Sequence, residues 1–335
     1  LLRVERDLVL VQAEAILTLE AVARGIGAPG RVCLNVVTGP YGALIGEWLA
    51  QAGAEVVELA VPLDRAVRPE EVERALAARP DCAVVAVVHA EAATGVVNPL
   101  AEIIGVARAH GALTIVDAVA SAGAHAVDVE GLDLDICAFG PQKGLGGPPG
   151  VAPTAISDRA WEALRTAPAP WRSSSLSLLD WKERWLEPGR VAIPGTPSPL
   201  EMYALEAACE RLAEETLEAS FARHARAAAA CRAGVVAMGL QPWVADPAEA
   251  VGICTTVRVP FGVDPAPLPS IARERFGVAL LAGAGPLASQ LVRIDHMGSG
   301  ATPGAVRAAL AALGGALDHV GASVDVGAGL EAAVA

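Results

Sequence analysis

The segment Leu113-Thr-Ile-Val-Asp-Ala-Val119 joins a short apolar run to a carboxylate. A run that is apolar throughout, rather than alternating with polar residues, is typical of a strand buried on both faces of a sheet. Asp117 therefore stands at the exit of a buried strand. Ligands of parallel sheets gather at the carboxyl ends of the strands. The segment predicts such a sheet, with Asp117 at its ligand-binding edge.

Similar apolar runs recur through the first half of the chain and alternate with helical stretches. The predicted strands are Asp7–Gln12, Val32–Val37, Val56–Ala60, Ala83–His89, Leu113–Val116 and Ile136–Phe139. The predicted helices are Ala15–Arg24, Gly42–Gly53, Pro69–Ala78, Leu100–His110 and Asp158–Arg165. This alternation predicts an α/β fold, a mostly parallel sheet with helices on both faces.

The pattern changes in the second half of the chain. The stretch Ala167–Pro199 is rich in Ser, Pro and Trp and predicts an ordered loop before a long helix at Pro199–Glu218. Beyond it, helices flank short strands, which is typical of a small α+β domain: helices Ser220–Met238 and Pro303–Leu313, and strands Thr255–Val259, Val278–Leu281 and Leu291–Ile294. We expect a large domain over residues 1–216 and a small C-terminal domain over residues 217–335.

The composition narrows the classes of partner. The net charge of −13 argues against nucleic acid and against an anionic membrane surface, because both are bound by basic proteins, and it favours a small-molecule substrate. No apolar stretch approaches the roughly 20 residues of a membrane-spanning helix, so we expect a soluble protein. Six scattered cysteines without a C-x-x-C pair, and no secretory signal, favour a reducing, cytoplasmic location. The His and Cys spacings predict no metal site.

Lysine is rare in this chain, since only two of the 25 basic residues are lysines. One of them, Lys143, lies in the apolar segment Phe139-Gly-Pro-Gln-Lys-Gly-Leu-Gly-Gly-Pro-Pro-Gly150. Arginine supplies surface charge equally well but is never deprotonated, whereas a lysine in dry surroundings becomes a nucleophile toward a carbonyl. We therefore interpret Lys143 as present for its amine, with a chance surface lysine as the alternative. Lys182 lies among charged residues and is expected to be solvated.

Lys143 follows Asp117 after one further predicted strand, so both residues are expected at the same rim of the sheet. Pyridoxal chemistry needs a lysine that forms an imine with the aldehyde. It also needs a carboxylate that keeps the pyridine nitrogen protonated, so that the ring accepts electrons. Alone, Asp117 would be interpreted as a cap after the strand. Together, the two residues favour the cofactor interpretation.

Three blocks of sequence resemble the signature blocks of a known family. They are His89-Ala-Glu-Ala-Ala-Thr-Gly95, Val116-Asp-Ala-Val-Ala-Ser-Ala-Gly123 and Gly140-Pro-Gln-Lys-Gly-Leu-Gly-Gly-Pro-Pro-Gly150. They resemble the class V (alanine/serine–glyoxylate type) aminotransferases, and the resemblance covers essentially the whole chain. It implies a fold-type-I enzyme that depends on pyridoxal 5′-phosphate (PLP). The segment Arg293-Ile-Asp-His-Met-Gly298 is among those most similar to a bacterial branch that includes pyridoxamine–pyruvate aminotransferase.

The resemblance implies a role for each matching residue. Lys143 would be the Schiff-base lysine and proton shuttle, and Asp117 the partner of the ring nitrogen. Tyr41 would stack on one face of the cofactor ring, and Val119 would press on the other. The phosphate would lie at a helix N-terminus, held by Ala13, Glu14, Ala15, Gln142 and, from the neighbouring subunit, Thr196. Arg293 would bind the substrate carboxylate through its planar fork. From the residues alone, a core position for Tyr41 and a surface ion pair for Arg293 stay open.

Several positions depart from the family pattern. Ala92 and Ala93 stand where the family has a hydroxyl residue, and whether Thr94 compensates is left open. Ala284 stands where the pyridoxamine–pyruvate branch has a second arginine. Asp295 replaces a glycine two residues after the substrate arginine, where we expect it to compete for the charge of that arginine.

Glu14 leaves the form of the cofactor open. A carboxylate beside a phosphate dianion is repulsive unless it turns away into solvent. The site therefore holds the phosphorylated cofactor with Glu14 turned outward, or it admits unphosphorylated pyridoxamine as a substrate. Thr196 and Gln142 favour the first interpretation, and the absence of an arginine at Ala284 argues against the second.

The resemblance implies a PLP-dependent aminotransferase with a ping-pong mechanism. The amino group would move from a small amino acid, alanine or serine, to a 2-oxo acid, glyoxylate or pyruvate. The alternatives are transamination between pyridoxamine and pyruvate, a same-fold lyase and a catalytically decayed homologue. A lyase of the cysteine-desulfurase type needs a reactive cysteine on a mobile loop, whereas Cys209, Cys231 and Cys254 lie in predicted helices or strands.

The resemblance also implies a homodimer with active sites at the interface, since Thr196 would serve the partner subunit. The chain begins at Leu1. We expect the N-terminal arm, with which family members embrace the neighbouring subunit, to be missing from this sequence.

Overall fold

The computed structural model describes residues 4–191 and 193–334. Its first strands are β1 (Asp7–Val11), β2 (Val32–Val37), β3 (Glu55–Ala60), β4 (Cys82–Val88), β5 (Ala90–Glu91), β6 (Val96–Val97), β7 (Leu113–Asp117), β8 (Ile136–Ala138) and β9 (Ala152–Ile156). The helices among them are α1 (Ala15–Ile26), α2 (Pro40–Gln51), α3 (Pro69–Ala78), α4 (Leu100–Ala109) and α5 (Asp158–Arg165).

Seven of these strands form one sheet in the order β1-β9-β8-β7-β4-β2-β3. The pairs from β3 through β2, β4 and β7 to β8 are parallel. Strand β9 runs antiparallel to both β8 and β1. The predicted α/β class and the mostly parallel sheet are confirmed. The antiparallel strand β9 was not predicted from the sequence, because its Pro153 weakens the strand pattern.

Apolar side chains fill both sides of this sheet. On one side, helices α1, α2 and α5 pack against the strands through residues that include Val22, Leu49 and Trp161. On the other side, α3 and α4 contribute Leu76 and Ile103. The strands β2, β4 and β7 contribute side chains to both clusters, as strands covered on both faces must. The prediction of helices on both faces is therefore confirmed.

A second, antiparallel sheet lies in the last third of the chain. Its strands are β10 (Gln241–Pro242), β11 (Cys254–Arg258), β12 (Leu281–Ala282) and β13 (Leu291–Asp295), in the order β10-β11-β13-β12. The helices of this half are α6 (Leu178–Trp181), α7 (Pro199–Glu215), α8 (Leu217–Ala237), α9 (Leu268–Phe276), α10 (Pro303–His319) and α11 (Val326–Ala332). Residues of α8, α9 and α10 form a separate apolar cluster with this sheet. The division of the chain at residues 216 and 217 stays a prediction.

Two details of the second half differ from the sequence prediction. The stretch predicted as a loop contains α6, whose first turn is capped by the Ser177 hydroxyl accepting from the Asp180 N–H at 3.1 Å. The strand predicted at Val278–Leu281 lies later, at β12, because α9 ends at Gly277 in the left-handed region with φ of 68° and the chain turns there. Within the described ranges, no helix is long and apolar enough to cross a membrane.

The fold brings the segment after β13 against the segment that carries Lys143. The backbone N–H of Gly298 donates to Nε2 of His224 at 3.0 Å. Gly298 has a φ of +55°, and a Cβ added there would lie 3.0 Å from the Lys143 carbonyl oxygen and from Cα of Gly146. Only glycine permits both this conformation and this approach.

We expect Gly298→Ala to lower the free energy of unfolding by about 2–4 kcal/mol, since it adds left-handed strain to a backbone clash. Gly300→Ala is the matched control, because an added Cβ meets nothing within 4 Å there. Urea unfolding of the two variants measures the difference. Equal stability of both variants would contradict the close approach.

Candidate active site

A pocket of about 360 Å³ opens at the carboxyl ends of β4, β7 and β8. This volume lies in the range of small-ligand sites, roughly 300–1,000 Å³. Its lining consists of residues that follow those strands and residues at the start of α1 and α2: Glu14, Ile16, Leu19, Tyr41, Ala90, Ala92, Asp117, Val119, Ala120, Gln142 and Lys143. The structure therefore brings Lys143, Asp117, Tyr41, Val119, Glu14 and Gln142 together.

The two lysines have different surroundings. Nζ of Lys143 lies 5.4 Å from the centroid of the Tyr41 ring inside the pocket, and both side chains are half-buried. Lys182 forms an ion pair with Asp7, lies 5.4 Å over the Trp161 ring, and has only 16% of its side chain exposed. The prediction that Lys182 is solvated is therefore wrong. Its neighbours in sequence are charged, but the tertiary fold covers its aliphatic stem.

Asp117 is the last residue of β7 and is 5% exposed. Its Oδ1 accepts a hydrogen bond from the Val119 N–H at 2.8 Å. Burial raises the pKa of Asp117 to about 6, whereas this hydrogen bond and the charge of Lys143 act in the opposite direction. A cation beside the carboxylate would stabilise its charged form. The surroundings of Asp117 thus favour a positively charged ligand group.

Glu91 is a buried carboxylate that the sequence analysis did not select. It is 0% exposed, and its Oε2 accepts from the backbone N–H groups of Tyr41 at 3.2 Å and Gly42 at 3.3 Å. Its Oε1 accepts from the Ala93 N–H at 3.3 Å. Burial, and then the charge of Asp117, raise the pKa of Glu91 to about 7. Glu91 thus fixes the first turn of α2, which carries Tyr41. Glu91 is the only acidic residue in the block His89–Gly95, and a lone acid among apolar residues is a sequence pattern that indicates a buried carboxylate.

Glu14 turns toward the protein, not outward into solvent. Its Oε2 caps α1 by accepting from the Ile16 N–H at 2.8 Å, and its Oε1 accepts from Nε2 of Gln142 at 2.5 Å. Oε1 of Gln142 is buried and has no partner in the part of the chain that the structure describes. The Ala13 N–H donates to the Val11 carbonyl at 3.0 Å, and Ala15 is buried in the first turn of α1. Neither alanine is among the described residues that line the pocket.

Arg293 is engaged by the chain's own groups. Its Nε and Nη2 donate to the two carboxylate oxygens of Asp295 at 2.7 and 3.0 Å, and its Nη1 donates to the Ala92 carbonyl at 3.1 Å. The pair that we expect between Asp295 and Arg293 is present, whereas its competition with a substrate stays a prediction. Arg293 does not line the pocket, although Ala92, which it contacts, does. Thr196 is exposed and lies outside the pocket of its own chain.

Other candidate groups are committed elsewhere. The hydroxyl of Thr94 donates to the Thr38 carbonyl at 3.1 Å, so it does not replace the hydroxyl missing at Ala92 and Ala93. Burial raises the pKa of the Cys254 thiol to about 12, and the described pocket lining includes no cysteine. Among the described residues, no group of three or more His, Cys, Asp or Glu side chains is arranged to hold a metal ion. These findings do not support a cysteine-dependent lyase.

The fold is that of the fold-type-I aminotransferases, and a lysine and an aspartate lie in one pocket at the carboxyl edge of its mostly parallel sheet. Residues 18–313 match the family described as aminotransferase class-V, and the chain belongs to this family.

Two relatives and one solved structure illustrate the similarity. The chain is 40% identical over 334 residues to a pyridoxamine–pyruvate transaminase of Mesorhizobium japonicum, covering 100% of this chain and 84% of that protein. It is 31% identical to an (S)-ureidoglycine–glyoxylate transaminase of Bacillus subtilis, covering 94% and 79%. The crystal structure of pyridoxamine–pyruvate aminotransferase from Mesorhizobium loti superposes with a TM-score of 0.94 at 40% identity, covering 99% of this chain and 84% of that one.

We expect Glu91→Ala to lower the free energy of unfolding by about 2–4 kcal/mol, because one buried and two partly buried N–H groups lose their acceptor. In Glu91→Gln the side chain keeps one oxygen that accepts hydrogen bonds but has no carboxyl group that can ionise. A raised pKa means that the folded state holds the proton more tightly, so the stability that Glu91 contributes falls as the pH rises from 4.5 to about 7. The Gln variant should lose this part of the pH dependence.

Urea unfolding at pH 5 and pH 8 measures both effects. Glu102→Gln, on the exposed face of α4, is the control. An unchanged pH dependence in Glu91→Gln would show that Glu91 does not titrate in the folded protein over this range.

Proposed function

We propose that this chain is a PLP-dependent aminotransferase that moves an amino group from a small amino acid to a 2-oxo acid. Alanine or serine would be the donor, and glyoxylate or pyruvate the acceptor. The observation that carries the proposal is that Lys143 and Asp117 line one pocket beside Tyr41. A catalytically decayed homologue would not be expected to retain this arrangement.

The pocket fits the ring of vitamin B6. When bound, PLP supplies an aldehyde that takes up an amine and a cationic ring that accepts electrons. The buried carboxylate of Asp117 is suited to holding the ring nitrogen protonated, and a cation there relieves its own burial. Tyr41 offers a flat face to the ring, and Val119 offers an apolar one. Nζ of Lys143 would hold the aldehyde and, once released, would move the proton of the substrate.

The phosphate fits less well, and this favours a second candidate function. The donors expected for the phosphate, the N-terminus of α1 and the amide of Gln142, already bind the carboxylate of Glu14. A dianion would have to displace that carboxylate, whereas the hydroxymethyl group of an unphosphorylated vitamer is neutral. The hydroxyl of that group can also donate a hydrogen bond to Oε1 of Gln142, which has no donor among the described residues. The second candidate is transamination between free pyridoxamine and pyruvate, as in the name of the Mesorhizobium relative.

We also propose a homodimer in which Thr196 reaches the pocket of the partner subunit. Thr196 lies in an exposed segment whose neighbours Leu200 and Tyr203 are 81% and 68% exposed, and large apolar side chains at that exposure are typical of an interface. A cytoplasmic location is part of the proposal, supported by six cysteines that are all free thiols.

We expect borohydride to trap the B6 aldehyde on Lys143 and not on Lys182, whose amine is paired with Asp7. Peptide mapping by mass spectrometry after incubation with PLP, and separately with pyridoxal, identifies the modified lysine. Lys143→Ala should lower kcat by about 10³-fold or more, since it removes the amine that transfers the proton. Lys182→Arg keeps its positive charge and is the control. Trapping elsewhere than on Lys143 would contradict the proposed function.

We expect Glu14→Ala to raise the affinity for PLP by about tenfold, because it removes a like charge and frees two donors for the phosphate. Affinity for pyridoxal should not rise. Absorbance titrations with both vitamers give the dissociation constants, and Glu20→Ala, on the same helix, is the control.

The wild-type protein separates the two candidates directly. Formation of alanine and pyridoxal from free pyridoxamine and pyruvate supports the second candidate. Tighter binding of PLP than of pyridoxal, with Glu14→Ala leaving the ratio unchanged, would contradict it and support the first.

A further inference from the structure

The side chain of Asp295 covers the Nε–Nη2 edge of Arg293, an edge at which a carboxylate ligand can bind. A carboxylate binds arginine side-on through two parallel N–H···O bonds. In this chain the pair formed by Nε and Nη2 is already bound to Oδ1 and Oδ2 of Asp295. The third nitrogen, Nη1, donates to the Ala92 carbonyl, which holds the guanidinium against a segment that lines the pocket.

The strand geometry makes this pairing local. Residues two apart on a strand project to the same face, so Arg293 and Asp295 on β13 meet side by side. Only 16% of the Arg293 side chain and 30% of the Asp295 side chain are exposed. Water therefore screens the pair less than it screens an ion pair on the open surface.

We propose that Asp295 is a specificity-determining residue that competes with the substrate carboxylate for Arg293. This inference rests on the proposed function and concerns how tightly its site binds carboxylate substrates. Amino acids and 2-oxo acids bind only after the Arg293–Asp295 pair opens, and Asp295 then remains nearby as a like charge. Neutral amines and neutral carbonyl compounds do not need that opening. The Arg293–Asp295 pair therefore weakens the binding of carboxylate substrates and leaves the binding of neutral ones unaffected.

Asp295→Asn tests the competition, since it removes the charge and keeps the shape of the side chain. For the holoenzyme we expect the KM for pyruvate to fall about tenfold, the gain expected for one charge-assisted hydrogen bond, with kcat changed by less than about threefold. The KM for pyruvamide, the neutral amide of pyruvate and a carbonyl compound of the same size, should stay unchanged. A purely structural role of Asp295 would move both substrates together.

A binding measurement gives a second readout that does not depend on turnover. Oxamate is an unreactive carboxylate of the size of pyruvate. Calorimetry should show its dissociation constant falling about tenfold in Asp295→Asn, in parallel with the KM for pyruvate. Asp295→Ala repeats the test with a smaller side chain, should the Asn variant not fold.

The chain offers a matched control on its surface. Arg79 and Asp81 are also two residues apart and form the same two-bond pair, with Nε and Nη2 of Arg79 donating to the two oxygens of Asp81 at 2.9 Å each. Asp81→Asn should leave every constant unchanged, because this pair is remote from the pocket.

Unchanged constants for pyruvate and oxamate in both Asp295 variants overturn the inference, as does an equal change for the neutral carbonyl compound. Failure of the proposed function is distinguishable from failure of this inference. If the proposed function fails, the wild-type protein transaminates no acceptor and traps no aldehyde on Lys143, while oxamate binding still reports on Asp295.

Discussion

Negative charge buried at the carboxyl ends of parallel strands is the constraint on which the rest of this site depends. Asp117 and Glu91 both lie where burial raises their pKa, to about 6 and about 7. Among the described residues that line the pocket, Lys143 is the only cation. Because the carboxylates of Glu14 and Asp117 share this lining, the pocket stabilises a positively charged ligand group and disfavours an anionic one. The protonated ring of vitamin B6 is such a group, and its aldehyde can form an imine with Lys143, the lysine of the described pocket lining.

The two positions at which the family resemblance implies a bound anion are both filled by carboxylates of the chain itself. Glu14 takes the helix N-terminus and the Gln142 amide that the phosphate would use. Asp295 takes the guanidinium edge that the substrate carboxylate would use. The common physical reason is that a helix N-terminus and an arginine fork stabilise any nearby carboxylate, whether it belongs to a ligand or to the protein. A phosphate or a substrate carboxylate therefore binds at these positions only by displacing Glu14 or Asp295.

The sequence was most informative where a residue type is rare or a pattern is short-ranged. Lys143 was selected because lysine is almost absent from this chain, and Asp117 because it ends an apolar run; the fold places both in one pocket. Lys182 was misjudged, since its charged neighbours in sequence gave no sign of Asp7 and Trp161, which come from distant segments. The competition between Asp295 and Arg293 was predictable because residues two apart on a strand share a face.

The fold class, the family and the residue types at the edge of the sheet can be predicted from the sequence, because apolar periodicity and strand exits are local properties of the chain. Which of these groups are free to bind a ligand depends on contacts between distant parts of the chain. Whether Glu14 points into solvent or caps α1 depends on Gln142, which lies 128 positions further along the chain. Whether Glu91 is an ordinary acid or a buried support for Tyr41 depends on the start of α2, 50 positions earlier. Hydrogen-bond partners so distant in sequence are chosen by packing, and no local pattern encodes them.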